Sequence, residues 1–134
     1  MRKTIVLPAL LALGFAVCVV AQTESDFSGW MKQVAATNGA VKKGVASKDN
    51  AAVATSAETL SGVFDNVAAY FAAHNIADGA DKAKAAQKAA MDLAAAAKAG
   101  DEAKITADAA AVGGSCAGCH MAHRDGSPGA FKIK

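Results

Sequence analysis

The sequence of 134 residues has little of what defines several other protein classes. No stretch alternates apolar and polar residues in the way of a half-buried strand, so a sheet is not predicted. It has three cysteines, of which two remain once a predicted leader is removed. Both of these belong to the motif described below, which leaves none for a structural disulfide.

An excess of charge of one sign is also missing. Without Arg2 and Lys3, which belong to the leader, twelve basic residues balance twelve acidic ones. A neutral chain is a poor match for the phosphate backbone, so nucleic acid is excluded as a partner. It also provides no field of one sign that would steer a charged protein from a distance, although local patches remain compatible with this balance.

The first 21 residues have the layout of a secretory signal peptide. A basic start at residues 1–3 precedes an apolar run over residues 5–20, and Ala21 is the small residue that signal peptidase prefers before its cut. The run is short for a membrane span, and bulky Val17 disfavours lipidation at Cys18. We predict a cleaved leader (1–21), a periplasmic mature domain (22–134) and no stable membrane anchor.

Clusters of helix-breaking and capping residues divide the mature sequence into four predicted helices. Glycine, Asp and Asn cluster at residues 47–50, 75–79 and 99–101, which predicts helices over about 24–46, 50–73, 79–98 and 101–123. Asp49, Asp78 and Asp101 are predicted to cap the last three helices. The apolar residues of the first two helices recur at spacings of four and three, as in antiparallel bundles. We therefore predict an all-α fold, an antiparallel four-helix bundle running up, down, up, down.

Residues 116–120, CAGCH, fit the C-x-x-C-H attachment site of a c-type haem. The thiols of Cys116 and Cys119, three residues apart on one helical face, can each add to a vinyl group of the porphyrin. The imidazole of His120 can then bind the iron. The motif predicts one covalently attached haem c as the cofactor.

Two other interpretations of these residues are weaker. A redox disulfide of the thioredoxin type sits at the start of a helix within a βαβ pattern, and no strand is predicted here. A zinc site formed by Cys116, Cys119, His120 and His123 would lie within eight residues, whereas structural zinc usually joins two separated segments.

The predicted core is rich in alanine, above all in the third helix. Such a core buries little area per residue, so a large apolar cofactor would supply the missing buried surface and the apo-protein would be loose or unfolded. The alternative is that the high helix propensity of alanine suffices. Gly113 and Gly114 are expected to interrupt the last helix where the porphyrin approaches the backbone.

Met31 is the predicted sixth ligand. In an up-down-up-down bundle the start of the first helix lies at the same end as His120, and a thioether opposite an imidazole is the usual pair for an electron-transferring haem. The alternative is that Met31 only fills the core. His74 is expected at a solvated helix end, and His123 at the haem edge or in solvent.

The same layer of the bundle supplies the expected pocket walls. These are apolar side chains on the inner faces of the first three helices: Phe27, Trp30 and Val34, then Phe64, Val67 and Phe71, then Ala83, Ala86 and Ala90. For Trp30, a contact with a neighbouring helix is an equal alternative.

Residues 113–124, GGSCAGCHMAHR, resemble the G-G-x-C-x-x-C-H-x-x-x-R motif of the class II c-type cytochromes, the family of cytochrome c prime and its low-spin relatives. The resemblance implies thioether bonds at Cys116 and Cys119, His120 as proximal ligand, and Arg124 near a haem propionate. Charge alone also supports this position for Arg124, because a guanidinium one turn beyond the ligand can pair with a propionate carboxylate. Low-spin members take a methionine from the first helix, and Met31 stands at a similar place, whereas high-spin members bind gases at that position.

We therefore predict a one-electron carrier with a single haem ligated by His120 and Met31, and redox proteins as partners. The alternative is a five-coordinate protein that binds nitric oxide or carbon monoxide. An enzyme is not predicted, because the first helix offers only Gln33 and Asn38 as polar groups near the iron. The sequence does not decide whether the chain forms a homodimer. The tail from Asp125 to Lys134 is expected to be irregular and to lie on the surface.

Overall fold

The computed structural model describes residues 22–127 and 130–134. It contains four helices joined by short turns: α1 (Glu24–Ser47), α2 (Asn50–Ala73), α3 (Ala77–Ala99) and α4 (Glu102–His123). The predicted four-helix bundle is confirmed, and the helix bounds agree with the prediction to within two residues. The predicted leader, residues 1–21, lies outside the described residues.

The tail differs from the prediction. Instead of being irregular throughout, it forms two short antiparallel strands, β1 (Arg124–Asp125) and β2 (Lys132–Ile133). Arg124 pairs with Ile133 and Asp125 pairs with Lys132. Two residues per strand give no alternation for a sequence pattern to detect, so the ladder depends on tertiary contacts.

Local hydrogen bonds explain where the helices begin. The side chains of Asp49 and Asp101 accept hydrogen bonds from the N–H groups of Ala52 (3.0 Å) and Lys104 (3.1 Å), so these two predicted caps are confirmed. The predicted cap at Asp78 is wrong. Helix α3 begins at Ala77, with Ile76 preceding it and making no side-chain cap.

The turn between α2 and α3 explains why α3 begins earlier than predicted. Asn75 has φ 59°, a left-handed conformation that reverses the chain and lets α3 begin at Ala77. Asp78 therefore lies inside the first turn of α3, where its carboxylate can contact side chains of other helices.

Helices α2 and α3 pack most extensively on each other, α1 packs mainly on α2, and α4 packs mainly on α3. Helices α1 and α4 make few contacts with each other. The bundle is therefore least tightly closed on the side where α4 faces α1.

Within residues 22–127 and 130–134, alanines make up nearly half of the buried hydrophobic residues. Helix α3 supplies most of them, at positions Ala80, Ala83, Ala86, Ala90, Ala94, Ala96 and Ala97. Small side chains allow α2 and α3 to approach closely. At Gly79 a Cβ atom would lie 2.8 Å from the ring of Phe71, so this position has room only for glycine.

Candidate functional site

The haem motif occupies the last turns of α4. Among the described residues of this helix, only Ile105 and Val112 are buried, whereas Cys116, Cys119 and His120 are half-buried. Gly113 and Gly114 do not interrupt the helix as predicted, because α4 runs unbroken to His123. The cost of a helical glycine is about 1 kcal/mol, which the packing of a long helix can offset.

The motif faces an interior cavity of about 30 Å³. Three residues of α4 that carry the motif, Cys116, Cys119 and His120, form one wall. The other walls come from all three remaining helices: Met31 and Val34 of α1, Phe64 and Val67 of α2, and Lys82, Ala83 and Ala86 of α3. Met31 and His120, which are distant in sequence, thus line the same space.

Four side chains expected in the pocket walls do not line this cavity. Phe27, Trp30 and Phe71 instead gather around Tyr70, with ring centroids 4.8 Å (Phe27 to Tyr70), 6.4 Å (Trp30 to Tyr70) and 6.1 Å (Phe71 to Tyr70) apart. Ala90 lies fully buried in the core. We call Phe27, Trp30, Tyr70 and Phe71 the aromatic cluster.

Tyr70, to which the other rings of the aromatic cluster are packed, is only 3% exposed. Edge-to-face contacts favour grouping of aromatic rings, so the neighbouring rings pack on Tyr70. Burial raises the pKa of the Tyr70 hydroxyl, and the carboxylate of Glu24 acts in the same direction. Trp30 packs on Tyr70 of the neighbouring helix α2.

Two residues that line the interior cavity were not predicted from the sequence. Lys82 lines the cavity from α3 and has its Nζ 3.5 Å from the carboxylate of Asp78. Ser115 lines it from α4, with its hydroxyl donating to the carbonyl of Ala111 at 2.9 Å. Position 82 lies on the same helical face as Gly79, Ala83 and Ala86, so helical spacing could have identified Lys82 as a lining residue.

The surroundings hold His120 in the form that binds a metal. Burial lowers the pKa of His120, and the positive charge of Arg124 lowers it further. A lowered pKa keeps the imidazole neutral down to more acidic pH, so one ring nitrogen offers a free lone pair.

Both thiols are held in the protonated form at neutral pH. Burial raises the pKa of the Cys116 thiol, opposed by a backbone hydrogen bond and by Lys42. Burial also raises the pKa of the Cys119 thiol, and Lys82 opposes that shift. The two cysteines are free and form no disulfide with each other.

A second, outer cavity of about 580 Å³ lies on the solvent side of the motif. Cys116 and His120 line it as well, so they border both cavities. Its other walls include Met121, Arg124 and Phe131. Arg124 is exposed and takes part in none of the ion pairs found among residues 22–127 and 130–134, which leaves its guanidinium available for an acidic group.

His123 does not lie in solvent, which was one of the two positions expected for it. Its side chain is only 11% exposed, its Nε2 donates to the carboxylate of Asp78 at 2.8 Å, and its ring lies 5.3 Å from that of Phe71. It therefore ties the end of α4 to the start of α3. His74 is exposed at the end of α2, as expected, and its Nδ1 donates to the carbonyl of Tyr70 at 2.8 Å.

The donor set fits a covalently attached haem. Two half-buried thiols can form thioethers, a neutral imidazole can bind iron, and a guanidinium can bind a propionate. The alternatives fit less well. In the described part of the chain no three His, Cys, Asp or Glu side chains gather as a metal site, and the cysteines lie at the end of a helix instead of at its start.

The comparisons with known proteins agree with this chemistry. A family model described as Cytochrome C' matches residues 19–124, whereas searches of curated proteins and of solved structures returned no match. Proteins of this family bind one haem c covalently, and Cys116 and Cys119 are present to hold it. Of the helices described, none has the length and apolar character needed to cross a membrane. Because the match spans all four helices and the haem motif, the chain belongs to the cytochrome c′ family.

Proposed function

We propose that this cytochrome is a periplasmic one-electron carrier whose haem iron is ligated by His120 and Met31. The observation that carries the proposal is that Met31 and His120 line one cavity from α1 and α4. Two strong ligands limit reorganisation when the iron changes oxidation state, and a methionine ligand raises the reduction potential.

Each residue of the site has a distinct part in this proposal. Cys116 and Cys119 anchor the haem, which supplies the one-electron redox chemistry when bound. Arg124 neutralises a propionate, and the apolar side chains of Val34, Phe64 and Val67 exclude water from the iron. The neutral state of His120, favoured by burial, keeps its nitrogen available as a ligand.

A second candidate is a five-coordinate protein that binds nitric oxide or carbon monoxide. Met31 packs against both clusters of the hydrophobic core, which is the behaviour of a methionine that fills space. If Met31 does not ligate, the apolar walls of the cavity would close the sixth position, and only a small gas would enter.

We propose no enzymatic activity. Cytochrome c′ proteins are generally not enzymes. Peroxidase chemistry would need acid and base groups over an open iron position. Gln33 is exposed, and neither Gln33 nor Asn38 lines the cavity.

Export and partners are part of the same proposal. Cytochrome c′ proteins are typically periplasmic. Cleavage after Ala21 would release residues 22–134, and redox proteins would be the partners, with nucleic acid excluded by the balanced charge. The mass of the exported protein tests this, because it should correspond to a chain beginning at Gln22 plus one haem. A chain retaining residues 1–21 would contradict it.

An absorption spectrum of the reduced holoprotein, recorded with and without carbon monoxide, separates the two candidates. We expect split low-spin bands that the gas leaves unchanged in the wild type. Met31→Leu, which keeps the side-chain volume, should bind carbon monoxide promptly. Met91→Leu is the matched control, because Met91 is 56% exposed on α3, and it should behave as the wild type.

Prompt uptake of carbon monoxide by the wild type would reject the carrier and support the gas-binding candidate. An unchanged spectrum in Met31→Leu would show that Met31 is not the ligand.

A further inference from the structure

The C-terminal residues lie outside the family match, which ends at residue 124, yet they are docked on the bundle. Strand β1 pairs with β2, and the N–H of Lys134 donates to the carbonyl of His123 at 3.1 Å. That carbonyl is one of those left without a partner at the end of α4. Ile133 packs against the core cluster that contains Val67 and Phe71. These contacts fix the tail beside the haem motif.

The reversal of the chain depends on Gly126. Its φ is 91°, and a Cβ atom there would lie 2.6 Å from the carbonyl oxygen of Ala130. Its N–H donates to the carboxylate of Asp125 at 2.8 Å. The tight turn brings Phe131 back over the end of α4.

Phe131 lies on the outer side of the haem motif. The guanidinium carbon of Arg124 is 4.2 Å from the centre of the Phe131 ring, a cation–π contact. The ring lines the outer cavity together with Cys116 and His120, and 45% of the residue remains exposed. Phe131 and Arg124 thus lie on the outer side of Cys116 and His120, which also line the interior cavity.

The haem motif borders two cavities of very different volume. The interior cavity has about 30 Å³, room for a water molecule, whereas the outer cavity has about 580 Å³. A porphyrin is a large planar group and is attached to Cys116, which borders both cavities. Because Cys116 and His120 also line the outer cavity, a haem bonded to them would border the space that Phe131 lines.

We propose that Phe131, held by the β1–β2 ladder, is the outer wall of the haem site and limits the access of water and small reductants to the haem. The proposal rests on haem attachment, which the family shows, and not on the carrier assignment. Excluding water disfavours the ferric form, which carries one more positive charge than the ferrous form. Phe131 should therefore raise the reduction potential.

The test compares holoprotein variants by redox titration and by their rate of reduction with ascorbate. Phe131→Ala should have a lower potential than the wild type and, in spite of the smaller driving force, a faster reduction, because ascorbate can come closer to the haem. Phe131→Leu retains an apolar cover but loses the aromatic ring, and it should stay close to the wild type. Met91→Ala removes another exposed apolar side chain far along α3 and should change neither quantity.

Two outcomes would overturn the proposal. If Phe131→Ala keeps the potential and the rate of the wild type, Phe131 does not shield the haem. If Phe131→Ala and Phe131→Leu shift equally, the ring acts through Arg124 and not as a wall. The carbon monoxide spectrum is independent of these readings, so a protein that binds the gas but shows the expected Phe131 effects would reject the carrier and support the wall.

Discussion

Replacing Gly79 with alanine tests the close packing of α3 against Phe71 of α2. The added Cβ would lie 2.8 Å from two atoms of the Phe71 ring and 3.0 Å from a methyl group of Ile76. Phe71 is fully buried, so its ring cannot move into solvent. The substitution must therefore push the two helices apart or force Phe71 off its rotamer.

The magnitude follows from two opposing effects. Overpacking of a core costs about 1–3 kcal/mol, and exchanging a helical glycine for alanine gains about 0.5–1 kcal/mol. The net expectation is a loss of about 1–2 kcal/mol in the free energy of unfolding, or a fall of about 4–8 °C in Tm for a domain of this size. Displacing Phe71 should also weaken the His123–Asp78 contact, because the His123 ring packs on Phe71.

The assay is thermal unfolding of the holoprotein followed by circular dichroism, with Gly62→Ala as the matched control. Gly62 is exposed inside α2, and no atom lies within 4 Å of the position that its Cβ would take. The control should therefore raise the Tm by a few degrees, since only the helix propensity changes. A Gly79→Ala protein as stable as the wild type or more stable would refute this account of the packing.

Two further predictions concern the charge contact and the cofactor. Desolvation raises the pKa of the Asp78 carboxyl, but the hydrogen bond and charge of His123, together with Lys82, outweigh it and lower the pKa below its ordinary value. The stability from Asp78 is therefore present above the unfolded pKa and lost as pH falls through the folded pKa, so Asp78→Asn should show a smaller drop in Tm between about pH 5 and about pH 2 than the wild type. The exposed Asp81→Asn serves as control, and equal drops in all three proteins would contradict the prediction. The double variant Cys116→Ala, Cys119→Ala should be exported colourless and lose much of its helical circular dichroism, because the alanine-rich core buries little area. An unchanged helical signal would show that alanine packing alone holds the bundle.

The helix boundaries were predictable because their signals are local. The caps Asp49 and Asp101 act on N–H groups three residues away, and both lie where the sequence places them. The start of α3 was predicted at residue 79 but lies at Ala77, because the left-handed conformation of Asn75 has no side-chain signature strong enough to identify it.

The walls of the candidate site were predictable only in part. Helical spacing identifies which residues share a face, and Val34, Phe64 and Ala86, which it selected, line the interior cavity beside the motif. It does not give the rotation of each helix about its axis. Tyr70, which the sequence did not single out, draws Phe27 and Trp30 away from that cavity.

The sequence by itself determined the number and length of the helices and the chemistry of haem attachment, because capping residues, apolar spacing and the C-x-x-C-H motif all act within a few residues of one another. The tertiary structure alone decided the pairing of His123 with Asp78 across 45 residues, the aromatic cluster around Tyr70 and the docking of Phe131 over Arg124. Each of these depends on how helices and tail are rotated and stacked against one another, and that arrangement is fixed by the packing of the whole bundle.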